Sequence, residues 1–143
     1  GKMLDLYAGS GAVGIEALSR GVSFAYFVDK NYEAIRIIKE NITALNLEDK
    51  TKVLSMLDTN ALHYFTENHI KFDLVYLDPP YALQQNEKII GILDEKGLLT
   101  SSARIVVECL KEDTCADKIG NVEKYKEAIY GISKIVYYRK VSE

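Results

Sequence analysis

Asp78-Pro79-Pro80-Tyr81 directly follows an apolar run, Phe72-Asp73-Leu74-Val75-Tyr76-Leu77, that reads as a buried strand. Neither proline can donate to a strand ladder, and each pushes the residue before it out of helical space. The tetrapeptide therefore gathers a carboxylate, backbone carbonyls and an aromatic ring at a strand end, with few competing donors. Such a set suits a planar group whose NH2 must be held by acceptors alone. An aryl amine is a weak nucleophile because its lone pair is delocalised into the ring. If Asp78 and the Pro79 carbonyl each accept one N–H, the nitrogen can pyramidalise and aim its lone pair at an electrophilic carbon. Positioning then does most of the chemistry. No strong base has to act first, because the alkylated nitrogen is acidic and sheds its proton afterwards, to Asp78 or to water. Pro79 and Pro80 stiffen the loop, and Tyr81 is placed to stack on the target base, a contact worth ~1–3 kcal/mol. A base inside a helix must first be swung out into such a pocket. The chemistry expected of these four residues is methylation of an exocyclic amine on a nucleobase. The plainer reading is a turn after a strand.

A methyl donor needs its own site. Gly9-Ser10-Gly11-Ala12-Val13-Gly14 fits G-x-G-x-x-G, and Asp29 follows Gly9 by twenty positions, where an acid would hold ribose hydroxyls. A tight strand-to-helix turn alone would also explain these glycines. Asp5 separates two cofactor classes. A carboxylate beside this loop would repel the pyrophosphate of a dinucleotide, whereas S-adenosylmethionine carries an ammonium and a sulfonium and no phosphate. Asp5, Tyr7, Ala8, Gly9, Ser10, Gly11 and Gly14 are thus candidate contacts for S-adenosylmethionine, together with Asp29 and the Lys30 and Asn31 that follow it. Asp58 is placed to accept from the adenine amino group, and Asn60 could take that role with a two-residue shift. Either residue could instead be a simple helix cap.

The elements that must position these residues alternate. Strands are expected at Met3–Tyr7, Phe24–Val28, Thr51–Met56, Phe72–Leu77 and Ile105–Val107. Helices are expected at Val13–Arg20, from an Asn31 cap to about Leu45, at Ala61–Glu67 and at Leu83–Asp94. Val122–Ile129 and Ser133–Tyr138, hinged at Tyr130-Gly131, read as an antiparallel hairpin. Alternation of this kind predicts an α/β fold, with a mostly parallel sheet covered by helices on both faces. Ligands of such sheets bind beyond the strands' C-terminal ends. Asp5, Asp29, Asp58 and Asp78 all fall at such ends.

Composition bounds the rest. The 143 residues, 48% hydrophobic and 27% charged, fit one domain spanning 1–143. No apolar run approaches the ~20 residues of a membrane span, and no signal-peptide pattern is present, so a cytoplasmic protein without membrane partners is expected. Cys109 and Cys115 are too few and too unpatterned for a metal site or a disulfide framework, and free thiols and no metal are expected. His63 and His69 stand without a nearby acid or cysteine pattern and read as ordinary surface or half-buried residues. The net charge of -3 gives no overall basic footprint for nucleic acid.

Leu4-Asp5-Leu6-Tyr7-Ala8-Gly9-Ser10-Gly11, followed by Gly14-Ile15-Glu16-Ala17-Leu18-Ser19-Arg20-Gly21, resembles the RsmD-type small-subunit ribosomal RNA guanine-N2 methyltransferases. Val28-Asp29-Lys30 and Asp78-Pro79-Pro80-Tyr81 fall where that family has its ribose acid and catalytic loop, and Tyr130-Gly131 with Lys134 and Tyr138 is similar to its final hairpin. The resemblance implies a Rossmann-like, seven-stranded class I methyltransferase fold, S-adenosylmethionine as donor, and guanine N2 of 16S rRNA as acceptor. Ribosomal RNA in small-subunit particles is the expected partner, and a monomer is expected. The family's basic N-terminal segment, which precedes the first strand, is absent from these residues. D-P-P-Y is shared with DNA adenine-N6 and cytosine-N4 methyltransferases, which usually add a target-recognition domain. Protein-glutamine enzymes favour Asn at the position of Asp78. A nicotinamide-binding domain and a cofactor-free RNA-binding module on the same fold complete the alternatives.

Overall fold

A computed structural model describes residues 1–78 and 83–141. Strands and helices alternate from the start: β1 (Lys2–Leu6), α1 (Ala12–Ser19), β2 (Phe24–Asp29), α2 (Tyr32–Ala44), β3 (Thr51–Ser55), α3 (Asp58–Glu67), β4 (Phe72–Leu77), α4 (Leu83–Glu95) and β5 (Leu99–Leu110). Three further strands close the chain: β6 (Lys118–Ile119), β7 (Val122–Tyr130) and β8 (Ser133–Lys140). All join one sheet in the order β3-β2-β1-β4-β5-β8-β7-β6. From β3 to β5 the pairs are parallel, and from β5 onward they are antiparallel.

The seven expected strands are all there, and the count rises to eight through β6. Two residues are too few to show any periodicity in sequence. β5 is also far longer than the expected Ile105–Val107. Its first half includes polar Thr100, Ser101 and Ser102, which hide the strand from a hydrophobicity reading. A bulge at Phe72/Leu74 lets that half join β4. The helix boundaries move by a few residues at most, and the largest shift places the start of α3 at Asp58 rather than Ala61.

Both faces of the parallel region are covered. On one face, α1 and α2 bring Leu18, Ile35, Ile38 and Ile42 onto Met3, Ala25 and Phe27. On the other, Phe65 of α3 and Ile89, Ile90 and Leu93 of α4 pack on Leu4, Leu6, Tyr26 and Phe72. Phe65 and Phe72 meet edge to face, with centroids 4.9 Å apart. Covering both faces explains why β1 and β2 read as continuous apolar runs rather than alternating ones. The chain winds outward from β1 to β3, then returns through α3 to place β4 on the other side of β1. The C-terminal ends of β1 and β4 therefore flank the point where the winding reverses, the place where open α/β sheets bind ligands. Among the described residues, no helix is long and apolar enough to cross a membrane.

Candidate functional site

A cavity of about 620 Å³ opens beyond the C-terminal ends of β1, β2, β3 and β4. Of the residues singled out in the sequence, Tyr7, Gly9, Asp29, Lys30, Asn31, Asp58 and Asp78 line it. Apolar walls come from Leu6, Val28, Ala34, Ile37, Met56 and Leu57. Asp5, Ala8, Ser10, Gly11 and Gly14 are not among the lining residues; Asp5, Gly11 and Gly14 are buried, Ala8 is half-buried and Ser10 is exposed. Asn60 lies exposed on α3, away from the cavity. Pro79, Pro80 and Tyr81 fall outside the described residues.

The loop after β1 turns sharply. Tyr7 has φ 68, a left-handed conformation that is uncommon for a residue with a side chain. Its hydroxyl donates to Asp58 Oδ2 at 2.5 Å and so ties the end of β1 to the start of α3. Gln85 of α4 donates to the same oxygen at 3.1 Å. Gly9 has φ +59, and a Cβ built there would point into space with no atom within 4 Å. A ligand could approach the backbone closely at this position. Gly14 serves packing instead: a Cβ there would lie 2.3 Å from the Phe27 ring, so only glycine lets α1 sit down on β2. Gly11 is the N-cap of α1, Ala8 N–H donates to the Val28 carbonyl, and the Ser10 carbonyl accepts from Asn41 Nδ2.

The acids occupy graded environments. Asp29, at the end of β2, accepts from Gly9 N–H on Oδ2 and from Asn31 N–H on Oδ1, both at 2.9 Å. Each oxygen keeps a second lone pair. Asn31 itself caps α2 by accepting from Ala34 N–H at 3.1 Å. Asp5 is 1% exposed, and its Oδ2 accepts from Gly14 N–H at 3.2 Å. Burial pushes its carboxyl up to about 7, against the lowering effect of the Gly14 bond, and the charges of Asp29 and Asp78 push further upward. The Asp5 carboxyl is buried under the loop, where it holds Gly14, and it is not among the residues that line the cavity. Asp78, one residue beyond β4, is pushed up to about 6 by partial desolvation and by a hydrogen bond and charge repulsion from Glu108.

Three residues of this neighbourhood escaped the sequence reading. Gln85 anchors Asp58. Tyr76 donates its hydroxyl to Glu108 Oε2 at 3.2 Å. Glu108 itself follows the apolar run Ile105-Val106-Val107 as Asp78 follows β4, so the signal of an acid after a buried run was present there too. The other candidates set aside in the sequence are elsewhere. His63 pairs with Glu67 at 2.8 Å on the exposed side of α3, and Cys109 and Cys115 are free thiols with sulfurs 3.6 Å apart. Among the described residues, no group of His, Cys, Asp and Glu is arranged to hold a metal ion. A half-apolar cleft rimmed by carboxylates, with an open backbone at Gly9, fits a ligand that combines a flat apolar body with positive charge.

Comparison with known proteins bears on this geometry. The family model described as Conserved hypothetical protein 95 matches residues 1–139. The Bacillus subtilis protein YlbH is 34% identical over 98% of this chain, which spans 76% of that protein. Ribosomal RNA small subunit methyltransferase D of Escherichia coli K12 is 28% identical over 90% of this chain, which spans 63% of that protein. A solved structure from Streptococcus pyogenes, described as a conserved hypothetical protein, superposes with a TM-score of 0.91 at 41% identity, covering 98% of this chain and 86% of that one.

Proposed function

We propose, from the premise that the chain belongs to the Conserved hypothetical protein 95 family, that it is an S-adenosylmethionine-dependent methyltransferase of ribosomal RNA. Its acceptor is the exocyclic N2 amine of a guanine in 16S rRNA, taken as a monomer in the cytoplasm from small-subunit particles. One observation carries the reading: Asp29, Asp58 and Asp78, from three separate strand ends, face one cavity around an open glycine backbone. The RNA acceptor rests on the family and on the name of the Escherichia coli relative, Ribosomal RNA small subunit methyltransferase D.

S-adenosylmethionine, when bound, supplies a methyl group made electrophilic by a sulfonium. Asp29 accepts the ribose hydroxyls with the lone pairs left over from Gly9 and Asn31. Asp58, fixed from two sides by Tyr7 and Gln85, accepts from the adenine amine, and Asn60 has no part in this. Gly9 lets the backbone come close to the ligand, and the acids that line the cavity favour a cation in front of it. Asp78 accepts one N–H of the acceptor amine and afterwards takes the proton that the alkylated nitrogen releases. Pro79 supplies the second acceptor, Pro80 stiffens the loop and Tyr81 stacks on the base, as the sequence predicts.

The test is transfer of tritiated methyl groups onto small ribosomal subunits from a strain lacking the gene, followed by nucleoside analysis. Label in N2-methylguanosine is expected; label in a methylated adenine or cytosine, or none at all, would overturn the acceptor. Asp78→Ala should lower the transfer rate by about 100-fold or more, since both orientation and proton acceptance are lost. Donor affinity, read by calorimetry, should stay within a few-fold. Equal losses in binding and turnover would argue against the amine-holding role.

A further inference from the structure

The face of the sheet that α1 and α2 cover at Met3, Ala25 and Phe27 continues past β4 into solvent. The register carries one row of side chains along it, from Tyr76 of β4 through Val106 of β5 and Tyr137 of β8 to Lys126 of β7. The next row, toward the start of β5, runs from Leu74 through Arg104 and Arg139 to Glu123. Along β8, Val136 and Tyr138 are buried, while Ile135, Tyr137 and Arg139 are half-buried or exposed. That alternation belongs to a sheet with one face in water.

A bulge in β7 loads this face. The register shifts between Lys124 and Lys126, so Tyr125 is an extra residue in the strand. Consecutive side chains of a regular strand point to opposite faces. Here Tyr125 and Lys126 both reach the open one. Arg104 and Arg139 stand over the Tyr125 ring, with Cζ 5.7 and 5.6 Å from its centre, and Lys126 Nζ is 5.3 Å from the centre of Tyr137. The two rings are 6.2 Å apart. Tyr125 is 42% exposed, and all three cations are exposed. Among the described residues, Arg104 uses Nη1 on the Ser102 and Ala103 carbonyls, Arg139 uses Nη2 on Glu123 at 3.5 Å, and Lys126 has no ion pair. A guanidinium carries five N–H donors, so both arginines keep some for a further partner. Across the two rows and the bulge, three cations meet one acid, Glu123, on a chain whose net charge is -3.

We propose that this cation–aromatic face docks the RNA acceptor: Arg104, Arg139 and Lys126 take phosphates that flank the target nucleotide, and Tyr125 stacks on an unpaired base. The proposal rests on the methyltransferase reading and deepens it by naming the surface that holds the acceptor. Stacking on a ring holds each guanidinium in place without neutralising it, so its charge stays available for a phosphate. An acidic protein surface would answer the charges alone. An exposed ring between them favours a strand whose bases are flat as well as anionic. The spacing fits. Tyr137 lies two strands across from Tyr76, and Asp78 two residues beyond Tyr76, which puts the array about 12 Å from Asp78. That is roughly three to four steps of a stacked strand.

The test is direct binding of the protein to small ribosomal subunits as a function of salt, which needs no turnover. The double variant Arg104→Ala/Arg139→Ala should bind about tenfold or more weakly, and its slope of log K on log salt should flatten by about one to two. Tyr125→Ala should lose about fivefold or more with little change in slope, and Tyr125→Phe should restore the affinity. Lys126→Glu, at an exposed position without an ion pair among the described residues, gives a second reading independent of the Tyr125 ring. Denaturant midpoints report whether each variant folds, and donor Kd should not move. RNA affinity and salt slope equal to wild type in the double variant and in Lys126→Glu would overturn the proposal. Polyglutamate bound as tightly as RNA, and lost in the same variants, would assign the face to an acidic protein and overturn it as well. A wild type that transfers no methyl group yet binds RNA through these residues would sink the methyltransferase reading and leave the docking face standing. Methyl transfer with unaltered RNA affinity in the variants would do the reverse.

Discussion

Asp29 both holds the loop and lines the cavity. Its bonds to Gly9 and Asn31 orient the carboxylate, and each oxygen keeps acceptor capacity for the ribose hydroxyls proposed above. Asp29→Ala should therefore weaken S-adenosylmethionine binding by about 10- to 100-fold, the size expected for hydrogen bonds to a charged group. Calorimetry gives the number, and an unchanged affinity would dismiss the ribose assignment. Its place at the end of β2 beside the glycine loop was legible in the sequence because the G-x-G-x-x-G spacing reports on a local βαβ unit. The choice between Asp58 and Asn60 was not, because a shift of two residues along a helix turns a side chain through about 200°. The structure starts α3 at Asp58 and so aims that carboxylate inward, leaving Asn60 in solvent. Glu108 stayed hidden for a different reason: its sheet neighbour Asp78 is thirty residues away, and only the sheet brings the two together.

At the scale of elements, the contact between α1 and β2 is the tightest constraint on the donor loop. Gly14→Ala would force a methyl group to within 2.3 Å of the Phe27 ring. Phe27 is fully buried and cannot swing away, so α1 must lift. The expected cost is about 1–3 kcal/mol, read as a lower denaturant midpoint with an unchanged slope. Stability equal to wild type would mean that the ring gives way more readily than its burial implies. The helices were easy to read because apolar positions recur at helical spacing between clear caps, as in α2 with Asn31. β6 and the first half of β5 were not, because their strand character comes from partners across the sheet rather than from their own side chains.

For the whole molecule, the buried charge of Asp5 links stability to pH. Its carboxyl titrates at about 7 in the fold and at 3.8 in a free chain, so the folded state holds a proton that the unfolded state has lost across that range. The stability this lends is fully present below 3.8 and is lost as pH rises through 7. Asp94 and Glu127, with lowered values, act in the opposite sense, and their stability is lost as pH falls through their folded values. Comparing wild type with Asp5→Asn isolates the first effect. The variant should gain on wild type by more than about 1 kcal/mol between pH 4 and pH 8, measured by chemical denaturation. A difference that does not change with pH would show that Asp5 is not charged by folding-linked titration.

The pairing of Asp5 with Phe27 and Tyr76, and of Tyr76 with Val106, puts the side chains of Asp5, Asp29, Asp78 and Glu108 on one side of the sheet. A slip of one residue between any two of these strands would send a carboxyl to the opposite side. These four acids thus share a side of the sheet only in a correctly threaded chain. On the proposed reading of the site, donor affinity would therefore report strand alignment, separating native molecules from misregistered ones whose secondary-structure content is the same.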